Sequence, residues 1–281
     1  MKQAYLAAVI KKHGRRIKQY GEQLPGSFET EMIHDLRVEY KKMRAFLRLL
    51  QMDGTARHLT MPADIKTVYH AAGHVRDLQL FLPQALVWAE KESVTVPEYL
   101  QYLHQRLFKA KETLVTTIEH LKAGKVIEHI TQELPAYLED VAIRKFIHRK
   151  VAAVQIILLA LEKDKELHTI RKQLKDIIYN IRIFDSDWGI SFPVTAWRSE
   201  KCLNDTAAML GDFNDRCLAL SFLSDSIIDS LPEAERGALR SWRSALLQEK
   251  EVCKQQMIEQ LAQLHLISNF ERMGKQLKPN G

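Results

Sequence analysis

Two segments of this chain carry the same pattern 134 residues apart, and that repetition limits its folding more than any other feature. The first runs His34, Arg37, Lys41, Arg48, and the second runs His168, Arg171, Lys175, Arg182. In both, the spacing is i, i+3, i+7 and i+14, which gathers the side chains on one face of a helix. Apolar residues keep the same phase: Leu36/Ile170, Tyr40/Leu174, Met43/Ile177, Leu47/Ile181 and Leu50/Phe184. At ~100° per residue the basic stripe lies roughly 120° around the helix from the apolar one. Each helix is therefore expected to bury one face and present another as a row of cations, which would attract a polyanion.

The repeat extends past these helices. Asp53-Gly54 opens a loop reaching Pro62, and Asp187-Trp188-Gly189 opens one reaching Pro193. Each leads to a further helix, with Gly73 and Asp77 in one and Gly211 and Asp215 in the other, both pairs 138 apart. Helical periodicity, 8 prolines, 11 glycines and no convincing alternating β pattern predict an all-α fold. Helix breaks are expected near 24–26, 53–62, 93–97, 122–124, 134–135, 185–193 and 231–232. The predicted architecture is two pseudo-symmetric helical-bundle repeats, 1–135 and 136–281. Their basic helices span 33–51 and 167–184 and share a central groove.

Charge supports an anionic partner only through its arrangement. The net charge of +6 and pI of about 9.1 are mild, so the two stripes carry the argument. Cys202, Cys217 and Cys253 lack metal or disulfide spacing, which suggests a reducing compartment. No apolar run approaches the ~20 residues of a membrane span. A cytoplasmic protein with no membrane partner, no cofactor and no metal is expected.

At these residues the chain resembles the CHAD domain (conserved histidine α-helical domain) family. The first motif, His34 to Leu50, is close to that family's pattern, and His168 to Phe184 is a looser copy. The likeness extends over about residues 1–275. It implies a pair of four-helix bundles around a basic cavity or groove that binds inorganic polyphosphate, with some members on polyphosphate granules. Many members are fused to a triphosphate-handling CYTH domain; at this length the chain resembles a stand-alone member. Lys41, Lys42 and Lys175 stand where many members have arginine. Ile178 and Asp176 replace the equivalents of Arg44 and Lys42, so the second stripe is expected to be weaker.

The expected polyphosphate contacts are His34, Arg37, Lys41, Lys42, Arg44, Arg48, Arg76, His168, Arg171, Lys175 and Arg182. Arginine offers phosphate a bidentate fork and lysine a mobile point charge. For His34 and His168, ligand contact and a structural bond near the helix start remain equal alternatives. Arg76 either faces the ligand or pairs locally. Arg15, Arg16, Arg149 and Lys150 either extend the groove or are solvated surface. Asp77 and Asp215 are expected to pair with stripe cations and hold them in place, and Gly73 and Gly211 to allow close helix packing. With no P-loop, paired acidic site or nucleophile–base set, a non-catalytic binding role is expected. A phosphate-processing enzyme and a generic nucleic-acid binder are the alternatives, and no specific nucleic acid is expected.

Overall fold

The computed structural model describes residues 1–159, 161–189 and 199–263, and among them every regular element is helical apart from an isolated bridge between Lys2 and Tyr137. The first half holds α1 (Gln3–Ser27), α2 (Thr30–Leu50), α3 (Ala63–Lys91), α4 (Pro97–Glu119) and the short α5 (Ala123–Gln132). The second holds α6 (Asp140–Leu159), α7 (Asp164–Trp188), α8 (Glu200–Phe222), the single-turn α9 (Asp225–Ile228) and α10 (Glu233–Gln263). The two expected motif helices are thus α2 and α7, each slightly longer than its apolar repeat implied.

Helix ends follow local chemistry. The Glu166 carboxylate accepts from the backbone N–H groups of Glu162 and Lys163 at 2.8 and 2.7 Å, which satisfies orphan donors at the start of α7. Ser199 caps α8 by accepting from the Cys202 N–H. The break expected near 24–26 falls slightly later, and the one expected at 185–193 falls within its range. α1 runs through Pro25 and stops when Phe28 adopts the left-handed region, its N–H bonding Leu24 O. α7 passes Asp185 and ends at Gly189, whose φ of 62° suits a residue without Cβ. The predicted loop end at Pro193 lies outside the described residues.

Every position of the expected apolar stripes is buried: Leu36, Tyr40, Met43, Leu47 and Leu50 in α2, and Ile170, Leu174, Ile177, Ile181 and Phe184 in α7. These stripes do not serve separate bundles. α2 packs against α7 as well as against α1 and α3, while α7 also packs against α6 and α8. One apolar core accordingly runs from Leu6 and Ile10 of α1, through Met43 and Phe46, to Ile177, Leu210 and Phe213.

A second core joins α3 and α4 to α8 and α10 through Phe81, Phe222 and Trp242, whose rings stack. Buried Glu235 of α10 seals that junction, accepting from the N–H groups of Glu98 and Tyr99 at 2.9 and 3.0 Å. It acts there as a carboxylate cap borrowed from the other half of the chain, at the end of α4 where the helix dipole favours an anion. The basic helices are consequently the two central rods of one packed body. Among the described residues, no helix is long and apolar enough to cross a membrane.

Candidate functional site: a crowded cationic face on α2 and α7

Packing α2 on α7 sets their basic stripes beside each other. Lys41 shows this most directly: within its field are Arg37 and Arg44 from its own helix and Arg171 and Lys175 from α7. Burial and those four cations push its ammonium down from the ordinary lysine range to about 7. Burial followed by Arg171 and Arg182 lowers Lys175, and burial followed by Arg44 and Arg48 lowers Lys172. Each helix therefore feels the other's cations.

Arg37 and Arg171 are seated in the same way. A Cβ added at Gly73 of α3 would overlap the Arg37 guanidinium, its Cζ only 3.1 Å away. The same atom at Gly211 of α8 would meet the Arg171 guanidinium at 3.5 Å. Both glycines had been expected to let helices approach; what they admit is an arginine. Arg37 also donates to Tyr69 O at 3.3 Å and lies over the Tyr69 ring. Arg44 lies over Tyr40 and Tyr69, two rings stacked 4.0 Å apart. The Nε atoms of Arg44 and Arg171 are buried without a hydrogen-bond partner.

The flanking cations are tied down. Lys42 donates to Glu39 Oε1 at 3.1 Å, and Arg48 to Asp176 Oδ2 at 2.7 Å. Arg76 donates to Thr30 O at 2.7 Å and also reaches Glu31. Arg182 donates to Asn204 Oδ1 and lies 3.6 Å from Glu200. These carboxylates stop at the flanks: among the described residues, none forms an ion pair with Arg37, Lys41, Arg44, Arg171 or Lys175.

Of the four outlying basic residues, Lys150 joins Asp176 at 2.6 Å and Arg16 reaches Glu39 at 3.3 Å, while Arg15 and Arg149 are exposed. Exposed His34 is pushed below the ordinary histidine range by burial, Arg76 and Lys41. For His168, burial and Lys172 act in the same direction against nearby Asn214. His168 Nδ1 is buried without a hydrogen-bond partner.

Among the described residues, Glu39 and Asp176 form ion pairs with stripe cations, and Asp77 and Asp215 do not. Arg37 is directed to Tyr69 O and Gly73, a turn before Asp77, so that carboxylate acts on it only through space. Burial comes first among the causes that raise Asp77, with nearby Asp215 adding to it. Glu39 is buried, and His13 Nδ1 lies 2.5 Å from its Oε2. Ionised carboxylate can only accept, so His13 carries the proton on Nδ1. Burial opposes ionisation of Glu39, but the His13 bond and charge and then Lys42 hold it down to about 2.

The anchoring carboxylates are what sequence reasoning missed: it does not single out Glu39, and it gives Asp176 only a weakening of the second stripe. The signal was present, because each adjoins the apolar stripe, where a carboxylate survives only when paired. A second missed element is the α3 row Lys66, His70 and His74, which borders Arg37 and Arg44 and lowers His70 after burial does.

No metal-binding cluster of three or more His, Cys, Asp or Glu occurs among the described residues. Concave pockets lie elsewhere. One of about 560 Å³ sits between α8 and α10, and another of about 660 Å³ between α3 and α10. Neither is lined by stripe residues, and the crowding of like charge identifies the α2–α7 face better than concavity does.

A helical protein whose two central rods gather cations on one face is thus defined. A sequence profile of the CHAD domain family matches residues 8–224, and the chain belongs to that family. Its fold is shared with the crystal structure of the CHAD domain from the plant Ricinus communis. The TM-score is 0.69 at 17% identity, over 94% of this chain and 92% of that one. No curated protein matches the chain.

Proposed function

We propose that the α2–α7 face binds inorganic polyphosphate and does so without turning it over. The observation that carries this reading is the setting of Lys41, with two arginines beside it on α2 and Arg171 and Lys175 facing it from α7. Such crowding costs free energy in the absence of an anion, and a chain of phosphates would relieve it along its length. Helical spacing separates successive donors by roughly 5–10 Å, from the ~1.5 Å rise per residue. A flexible polyanion can bridge those intervals. The family's association with polyphosphate supports the same ligand.

We read the five unpaired cations as the primary contacts. Lys42, Arg48, Arg76 and Arg182 form a paired rim, and His34 and His168 are auxiliary donors. The matched seating of Arg37 on Gly73 and Arg171 on Gly211 supports treating the two halves as pseudo-symmetric copies around a shared groove. A binding role fits a face made of cations. Nucleic acid is disfavoured by the aromatic pair. Tyr40 is buried, Tyr69 stacks on it, and Arg37 and Arg44 lie over Tyr69, so this pair is already engaged by protein groups that a stacking base would have to displace. A cytoplasmic location, with recruitment to polyphosphate granules, would follow from this binding.

The test is a competition titration of long-chain polyphosphate against single-stranded RNA at physiological salt. Polyphosphate is expected to hold its place against excess RNA. Arg37→Ala combined with Lys41→Ala should weaken binding by several kcal/mol, at ~1.5–3 kcal/mol per charged hydrogen bond, with little change in thermal stability. Equal displacement by RNA would reduce the face to a generic cationic surface, and loss of folding in the double variant would make the two residues structural.

A further inference from the structure

We infer that the polyanion is bound here together with a proton, and that Lys41 is where the proton is taken up. This rests on the polyphosphate reading and adds the condition under which that site fills.

The argument is geometric first. Lys41 stands at the middle of the crowded face, with Arg37 and Arg44 about one turn away on either side and Arg171 and Lys175 facing it from α7. On the α3 side, the ionisable groups near this patch are Tyr69, His70, His74 and Asp77. Asp77 is the carboxylate there that senses Lys41, and burial and the charge of Asp215 from α8 push it toward its neutral form. The ionisable groups of α1 and α6 near α2 include His13, Arg16, Tyr20 and Lys150, and they end on Glu39, Asp35 and Asp176 instead. Lys41 therefore meets cations on both central helices and no carboxylate close enough to pair with it. It is held in a position where carrying a charge is costly until an anion arrives.

An ammonium lowered to about 7 is only partly protonated at neutral pH. A phosphate chain laid across Arg37, Lys41 and Arg171 places negative charge where four cations now act, and so restores the amine's affinity for its proton. By linkage, the proton taken up on binding makes binding weaker as pH rises. The sign and window are fixed by the groups present. His34, His70 and His168 are each shifted below the ordinary histidine range and bound phosphate would raise them as well, so the share that belongs to Lys41 is the uptake that a permanently charged residue there removes. With an ammonium held at about 7, the change at Lys41 itself spreads over about pH 6.5 to pH 8.

The experiment is calorimetric titration of the full chain with long-chain polyphosphate, in buffers of different ionisation enthalpy, at several pH values across that window. Taking about 7 for the free protein, linkage predicts roughly eightfold weaker binding at pH 8 than at pH 6.5, with uptake of roughly 0.8 proton per site near pH 7.5. Lys41→Arg places a guanidinium that stays charged throughout, and it should remove most of the slope and of the proton uptake near pH 7.5. Binding by the natural chain without proton uptake overturns the inference, as does a folded Lys41→Arg protein that keeps the full uptake. Absence of binding at every pH would instead overturn the polyphosphate reading and take this inference with it. Should Lys41→Arg not fold, the proton count on the natural chain still decides.

Discussion

A methyl group added at Gly73 would occupy space that the Arg37 guanidinium now fills, whereas the same group at Gly211 would only touch Arg171. Alanine suits a helix interior better than glycine by roughly 0.5–1 kcal/mol, so neither change should threaten α3 or α8 by itself. Gly73→Ala is expected to dislodge Arg37 and weaken polyphosphate binding at least tenfold, about the loss of one charged hydrogen bond, while the melting temperature stays within a few degrees. Gly211→Ala should bind almost as the natural chain does. Equal affinity for the two variants in a side-by-side titration would mean that Arg37 is not a ligand contact. The comparison separates binding from folding because the strained atom belongs to a flexible side chain and not to the backbone.

At the scale of single helices, α2 and α7 each carry one buried carboxylate that anchors cations, Glu39 in one and Asp176 in the other. Glu39 is held ionised down to about 2, below the ordinary glutamate range, so it contributes stability above that range and loses it as pH falls toward 2. The contribution is on the order of 3 kcal/mol, from a shift of about two units or more at ~1.4 kcal/mol each. Glu39→Gln should accordingly be less stable in urea near pH 6, and the gap should close on acidification from about pH 5 to pH 2. A gap that persists at pH 2 would assign the loss to packing. These anchors also mark where sequence reading stopped. Helical period alone placed both motif helices and five buried apolar positions in each, because a 3.6-residue repeat depends only on spacing along one chain. It could not show which stripe cations meet a carboxylate from another helix. Lys150 and Asp176 are 26 positions apart, Arg48 and Asp176 128 apart, and those meetings exist only once helices pack. The same holds for Asp77 and Asp215: their register on α3 and α8 was legible, but the direction taken by Arg37 was not.

For the molecule as a whole, packing converts two ordinary amphipathic helices into a concentrated field. A net charge of +6 spread over 281 residues would attract polyanions weakly. The shared apolar core and the Glu235 cap join the two halves, holding α2 against α7 and fixing Arg37, Lys41, Arg44, Arg171 and Lys175 within one face. Neutralising phosphates there releases condensed counterions, which makes affinity fall with salt in proportion to the number of cations engaged. For five cations on a flexible single chain the expected slope of log affinity against log salt is about −3.5, at ~0.7 per phosphate. Arg171→Ala should reduce that slope by about 0.7. Arg76→Ala should alter it far less, since Arg76 is already held by Thr30 O and Glu31. Titrations from low to physiological ionic strength measure both. A flat salt response would remove the electrostatic basis of the site, and equal slopes for the two variants would show that the paired rim engages ligand as fully as the unpaired centre.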